Sequence, residues 1–147
     1  MIRIGTSGFS YKDWEGVFYP DSVSASERLS FYARQFDCVE VNYSYYRIPD
    51  QSTLQAMAAK VPPGFTFVIK ANRKMTHERE DSAPSFRAFR QALRPWLEQE
   101  LLGCVLAQFP SSFHDTPSNR DYLSFLSQQM QDIPSVVEFR HRSWVRG

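Results

Sequence analysis

Only two cysteines occur in the 147 residues, and both, Cys38 and Cys104, lie inside apolar stretches. That offers neither a disulfide framework nor a C-x-x-C metal pair, so two buried, reduced thiols are expected. Net charge is as scarce: 17 basic residues against 16 acidic ones leave +1, which argues against a strongly basic coat for polyanions. No apolar run approaches the roughly 18 residues that a membrane span needs, and the N-terminal MIRIGTSGF has neither a charged n-region nor a long h-region. A cytoplasmic protein with no membrane partner is expected. The three histidines, His77, His114 and His141, lack H-x-x-x-H spacing. The GTSG run lacks the phosphate-loop spacing, and no G-x-S-x-G elbow occurs. The expectation is therefore no metal, no cofactor and no signature of nucleophilic catalysis.

What the sequence has is 42% apolar and 15% aromatic residues, the composition of one folded domain spanning 1–147. Short apolar runs rich in β-branched and aromatic residues, at 2–5, 38–43, 65–71, 103–109 and 136–139, read as five strands. Helical patterns separate them. Ser24 and Glu27 form an S-x-x-E capping box ahead of the stripe Leu29, Tyr32, Ala33, Phe36. Asp50 is a predicted N-cap before Leu54, Met57, Ala58 and Val61, with Pro62-Pro63-Gly64 as the stop. A third helix shows Phe86, Phe89, Leu93, Trp96 and Leu97 on one face, and Pro95 is expected to kink or end it. A fourth is expected to begin near Ser118 or Asn119 and to carry Tyr122, Leu123, Leu126 and Met130.

Strict β-α alternation implies a parallel sheet with right-handed crossovers, either doubly wound or part of a β/α barrel. Polar residues near the C-terminal ends of the strands favour the barrel, which gathers them into one mouth. These are Glu40 and Asn42 in the second strand, Lys70 in the third, Gln108 in the fourth, and Glu138 with Arg140 in the fifth. Glu40 and Glu138 are the only strand-embedded carboxylates and hence general acid/base candidates; the alternative for each is a structural ion pair, Glu40 with Lys70 and Glu138 with Arg140. The long first connection, 6–20, brings Tyr11 and Trp14 as candidate pocket walls, with an aromatic plug as the alternative. The third connection, 72–83, is a candidate lid, with Lys70 and Arg73 at its start placed to hold an anion, while Lys74, Glu78, Arg79, Glu80 and Asp81 read as a solvated charged loop.

Five segments in order, GTSGFSYKDWEGVFYP, FDCVEVNYSYYRIP, FTFVIKANRKMTH, LGCVLAQFPSSF and VVEFRHRSW, resemble the successive motifs of the YecE-like family, domain of unknown function 72. The resemblance implies an α/β fold of TIM-type β/α barrel architecture, of which this chain would supply strands one to five and four helices. It supplies no reaction. The family motifs carry Ser7, Tyr11, Trp14, Glu40, Asn42, Tyr46, Lys70, Arg73, His77, Gln108, Glu138, Arg140 and Trp144. Of these, Glu40, Glu138 and His77 are the catalytic candidates and the others candidate ligand contacts. The expected ligand is small and polar or phosphorylated; the alternative is nucleic acid, suggested by arginine beside tyrosine at 43–47. Because such barrels typically run to about 250 residues, a missing C-terminal half or self-association is expected to complete the sheet.

Overall fold

The computed structural model describes residues 2–145. Five parallel strands, β1 (Gly5–Ser7), β2 (Cys38–Val41), β3 (Thr66–Lys70), β4 (Leu102–Gln108) and β5 (Ser135–Glu138), lie side by side in sequence order. Five α-helices accompany them: α1 (Arg28–Tyr32), α2 (Gln51–Ala58), α3 (Arg73–Thr76), α4 (Ala83–Glu98) and α5 (Pro117–Gln129). Short 3-10 turns occupy Lys12–Trp14, Tyr43–Tyr45 and Arg142–Trp144.

Strand alternation divides the sheet into two unlike faces. Val39, Val41, Phe67, Ile69, Val105 and Ala107 are buried in one hydrophobic core with Leu29, Leu54, Phe86, Phe89, Leu93, Trp96 and Leu126 from the helices. The opposite face shows Cys38, Glu40, Val68, Lys70, Cys104, Leu106 and Gln108, all only partly buried. Helices on one face of a sheet whose strands never reverse their order make the arc of a TIM-type β/α barrel; a doubly wound sheet would cover both faces. Within this arc β1 and β5 are the edges.

Several expected boundaries shift for local reasons. The first strand lies at 5–7, not 2–5, because pairing starts where Gly5 meets Cys38; Ile2 and Ile4 are 88% and 65% exposed. A Cβ on Gly5 would fall 2.0 Å from the Cys38 carbonyl oxygen, so only glycine brings β1 this close to β2. Gly103 marks an irregularity between β3 and β4, where Phe67 pairs with Leu102 and Val68 with Cys104. Only half of the Ser24–Glu27 box forms: Ser24 N donates to Glu27 Oε2 at 3.0 Å, but the Ser24 hydroxyl donates to the same carboxylate oxygen instead of accepting from Glu27 N, and regular α1 begins only at Arg28. Asp50 is the N-cap of α2, without a side-chain cap bond. Thr116, not Ser118 or Asn119, caps α5, accepting from Asn119 N at 3.3 Å. The cysteines are free, as expected, but half-buried on the inner face rather than fully buried.

The helices number five rather than four because the third connection is built, not loose. Asn72 caps the single turn α3, and Met75, Thr76 and Ser82 are buried. Arg79 leaves the solvated set too: its guanidinium lies 4.7 Å from the Phe113 ring centroid and donates to Asn119 Oδ1 at 2.9 Å. This segment is therefore a docked strap and not an open lid. Pro95 does not end α4 either. The carbonyl its missing N–H would have served, that of Gln91, accepts instead from Gln51 Nε2 of α2 at 2.7 Å.

Tyr32 fastens the first strand. It has no exposure, and its hydroxyl accepts from Thr6 N at 2.7 Å and donates to Cys38 O at 3.1 Å. Tyr32→Phe keeps the ring but strands both partners. We expect a loss of about 1–3 kcal/mol in unfolding free energy with an unchanged denaturant slope. A loss below about 0.5 kcal/mol would show that water replaces the hydroxyl.

Candidate active site

The C-terminal strand ends open into a cleft of about 640 Å³ lined by Ser7, Glu40, Asn42, Tyr45, Tyr46, Lys70, His77, Gln108, Glu138 and Arg140. Each position follows from strand alternation. Glu40, Lys70, Gln108 and Glu138 occupy inward-facing positions in β2 to β5, while Ser7 ends β1 in register with Glu40. Asn42 and Arg140 lie one and two residues past their strands. Tyr45 comes from the 3-10 turn after β2, and His77 directly follows α3.

Two hydrogen-bond chains organise the polar groups. In one, Asn42 Nδ2 donates to Ser7 Oγ at 2.7 Å, and Ser7 Oγ donates to Glu40 Oε1 at 2.9 Å. In the other, Lys70 Nζ donates to Gln108 Oε1 at 2.7 Å, Gln108 Nε2 donates to Glu138 Oε1 at 2.9 Å, and Arg140 Nε donates to the same carboxylate oxygen at 2.5 Å. The expected Glu138–Arg140 ion pair is thus present. The expected Glu40–Lys70 pair is not found among the described residues; Lys70 turns to the Gln108 amide and stands 5.1 Å from the Tyr45 ring centroid. An amide can receive the ammonium and hand a donor on to Glu138, which a second carboxylate could not do.

These contacts set the charge states. The Gln108 amide, foremost, and then the Arg140 guanidinium hold the Glu138 carboxyl below its ordinary range, against an opposing effect of burial. Burial, with the nearby Lys70 and Arg79 cations, holds His77 below the usual imidazole value, so its ring is neutral at neutral pH. Thr76 Oγ1 lies 2.9 Å from His77 Nδ1, and the Tyr45 ring meets the imidazole edge-on at 5.0 Å. Burial raises the Cys38 and Cys104 thiols, which keeps them protonated. Among the described residues no group of three or more His, Cys, Asp or Glu side chains is disposed to hold a metal ion.

The Glu138 shift has a signed consequence. A carboxyl with a depressed folded-state pKa adds stability that is present above its ordinary value of 4.5 and is lost as pH falls through the lower folded value. Glu138→Gln is therefore expected to destabilise the protein at neutral pH, and the difference from the parent should shrink during acid titration followed by circular dichroism. A difference that stays constant down to the acid transition would assign the loss to packing.

Four of the thirteen sequence-predicted residues lie outside this cleft. The Tyr11 hydroxyl donates to the Ser7 carbonyl, and the Tyr11 ring packs on Trp14 at 5.0 Å. Trp14 in turn contacts Phe18 and Tyr19, so the pair belongs to an aromatic cluster beside the cleft and not to its lining. Trp144 stacks on Phe139 at 4.3 Å and donates from Nε1 to Phe113 O at 2.6 Å. Arg73 pairs with Glu78 at 3.2 Å and lines a neighbouring hollow, not the cleft that holds Lys70. Tyr45 also lines the cleft; the sequence marks it only among the rings at 43–47 that suggest the nucleic-acid alternative, not among the candidate contacts of a small ligand.

The sequence and fold match known proteins over their whole described extent. The family model described as "Protein of unknown function DUF72" matches residues 3–147. The UPF0759 protein YunF of Bacillus subtilis (strain 168) is 34% identical over 150 residues, covering 98% of this chain and 52% of that relative. The crystal structure of a DUF72 family protein from Thermotoga maritima MSB8 superposes with a TM-score of 0.87 at 37% identity, over 100% of this chain and 58% of the other. A DUF72 family protein from Enterococcus faecalis V583 gives 0.84 at 27% identity, over 99% and 53%. The chain thus spans a little over half the length of the relatives it matches. No helix among the described residues is long and apolar enough to cross a membrane.

Proposed function

Since the chain belongs to the family described as protein of unknown function DUF72, its chemistry must be sought in the cleft itself, and we propose that this cleft binds and acts on a small ligand rich in hydroxyl or phosphate oxygens. The observation that carries the proposal is the convergence of polar groups from all five strand ends around one space of about 640 Å³, within the range of small-molecule sites. Donors and acceptors stand close together there, which matches a ligand whose oxygens both give and take hydrogen bonds.

The two carboxylates take different roles. Glu138 already accepts from Gln108 and Arg140, so it anchors those cationic and amide donors. Glu40 accepts a single bond from Ser7 and is the group placed to take a proton from a bound hydroxyl. Neutral His77 is the second proton acceptor at the rim. Lys70 has three ammonium protons and gives one to Gln108, leaving capacity for a ligand oxygen.

The test is calorimetric titration with a panel of sugars and sugar phosphates, and in parallel with a single-stranded oligonucleotide at two salt concentrations. Saturable binding of a panel member with shallow salt dependence is the expected result. Binding of the oligonucleotide alone, falling steeply with salt, would overturn the proposal in favour of nucleic-acid recognition.

A further inference from the structure

Tyr46 belongs to two hollows. It lines the polar cleft and also a neighbouring space of about 350 Å³ bounded by Ile48, Arg73, Lys74, Pro84 and Ser85. The residue is 76% exposed, and its ring stands perpendicular to that of Tyr45 at 5.0 Å. It is therefore a ridge between the two spaces, with Tyr45 behind it on the cleft side. The second space differs in chemistry: Ile48, Pro84 and Ala88 give it apolar walls, and its rim carries two cations. Arg73 engages Glu78 through Nε at 3.2 Å, which leaves its terminal nitrogens for another acceptor. Lys74 makes no ion pair among the described residues, and its side chain is exposed. With Glu78 counted, the rim keeps an excess of positive charge.

We propose that this hollow is a second subsite, taking the anionic, phosphate-bearing end of an elongated ligand whose hydroxyl-rich end occupies the cleft. This rests on the cleft binding the ligand's other end, as proposed above. Charge complementarity selects the occupant: two cations at the mouth of a pocket without a carboxylate in its lining accept a phosphoryl group, and Arg73 can do so with paired donors. The flat, exposed Tyr46 ring offers a surface over which a ligand chain crosses from one space to the other. Sequence adjacency puts Arg73 beside Lys70 in one anion site; in the structure Asn72 caps α3, and Arg73 lines the hollow while Lys70 lines the cleft.

Inorganic phosphate is the probe, followed by NMR titration of the whole protein, because it needs no contact with the cleft. Both target residues are exposed, so the double variant Arg73→Gln/Lys74→Gln should fold normally. We expect the phosphate affinity read at the backbone amides of the hollow itself, those of Ile48, Ser85 and Ala88, to fall about tenfold or more in this variant, the equivalent of one charge-assisted hydrogen bond. Phosphate-induced shifts at these amides that survive the double variant, or that are absent in the parent, would overturn the second subsite. A separate titration with ribose reads the cleft alone: loss of ribose binding in Lys70→Met with no phosphate effect in the double variant leaves the cleft proposal standing and this one refuted.

Discussion

Trp96→Ala is expected to lower the unfolding free energy by about 3–5 kcal/mol, the range for removing a fully buried large aromatic side chain. Trp96 has no exposure, lies parallel to Phe67 with 4.0 Å between ring centroids, and donates from Nε1 to Leu54 O at 2.9 Å. One side chain thus joins α4, β3 and α2. The substitution opens a cavity under β3, exactly where the strand leads to Lys70, and removes a donor from a buried carbonyl. Trp96→Phe separates the two effects, since it keeps most of the volume and should cost only about 1–2 kcal/mol. Denaturant midpoints at constant slope provide the measurement. A loss below about 1 kcal/mol for the alanine variant would mean that Phe67 and Leu54 close over the vacated space.

On the function proposed above, Lys70→Met is expected to weaken binding of a ligand in the cleft by about 10- to 150-fold, the equivalent of 1.5–3 kcal/mol for a charge-assisted hydrogen bond. Methionine preserves the length and apolar stem and removes only the charge. Stability should change little, because Lys70 is partly exposed and its one hydrogen bond goes to a neutral amide. Gln108→Leu is the companion variant: it leaves the ammonium present without its orienting acceptor and should give a smaller loss. Calorimetry on the best ligand of the panel reads both. Equal affinity in parent and Lys70→Met would remove Lys70 from the binding machinery.

The sequence was most legible where one physical signal acted alone. β2, β3 and β4 were visible because Val39, Val41, Phe67, Ile69, Val105 and Ala107 are apolar at every second position, and that same alternation put Glu40, Lys70 and Gln108 on the other face. β1 was displaced because Ile2 and Ile4 look like strand residues, whereas the partner that defines the strand is Cys38, 33 residues beyond Gly5 and invisible to a local pattern. α3 was hidden inside a charged segment, since one turn is too short for periodicity and only the Asn72 cap marks it. Trp14 and Trp144 show the converse difficulty. An aromatic near a strand end is equally suited to a pocket wall or a plug, and the choice depends on neighbours such as Phe18 and Phe139 that come from packing. The cleft residues were legible in position because strand polarity dictates position; their hydrogen-bond partners were not, because Lys70 had both Glu40 and Gln108 within reach of adjacent strands.

The two hydrogen-bond chains of the cleft share no group among the described residues: Asn42, Ser7 and Glu40 form one, and Lys70, Gln108, Glu138 and Arg140 the other. Among the described residues the site is in that sense an open circuit, since no hydrogen bond joins the Glu40 side to the Glu138 side. On the function proposed above, a ligand whose oxygens touch both sides closes the gap and is itself the link. Substitutions at Ser7 and Gln108 are then expected to couple in a double-mutant cycle of ligand binding and to add independently in a cycle of stability without ligand.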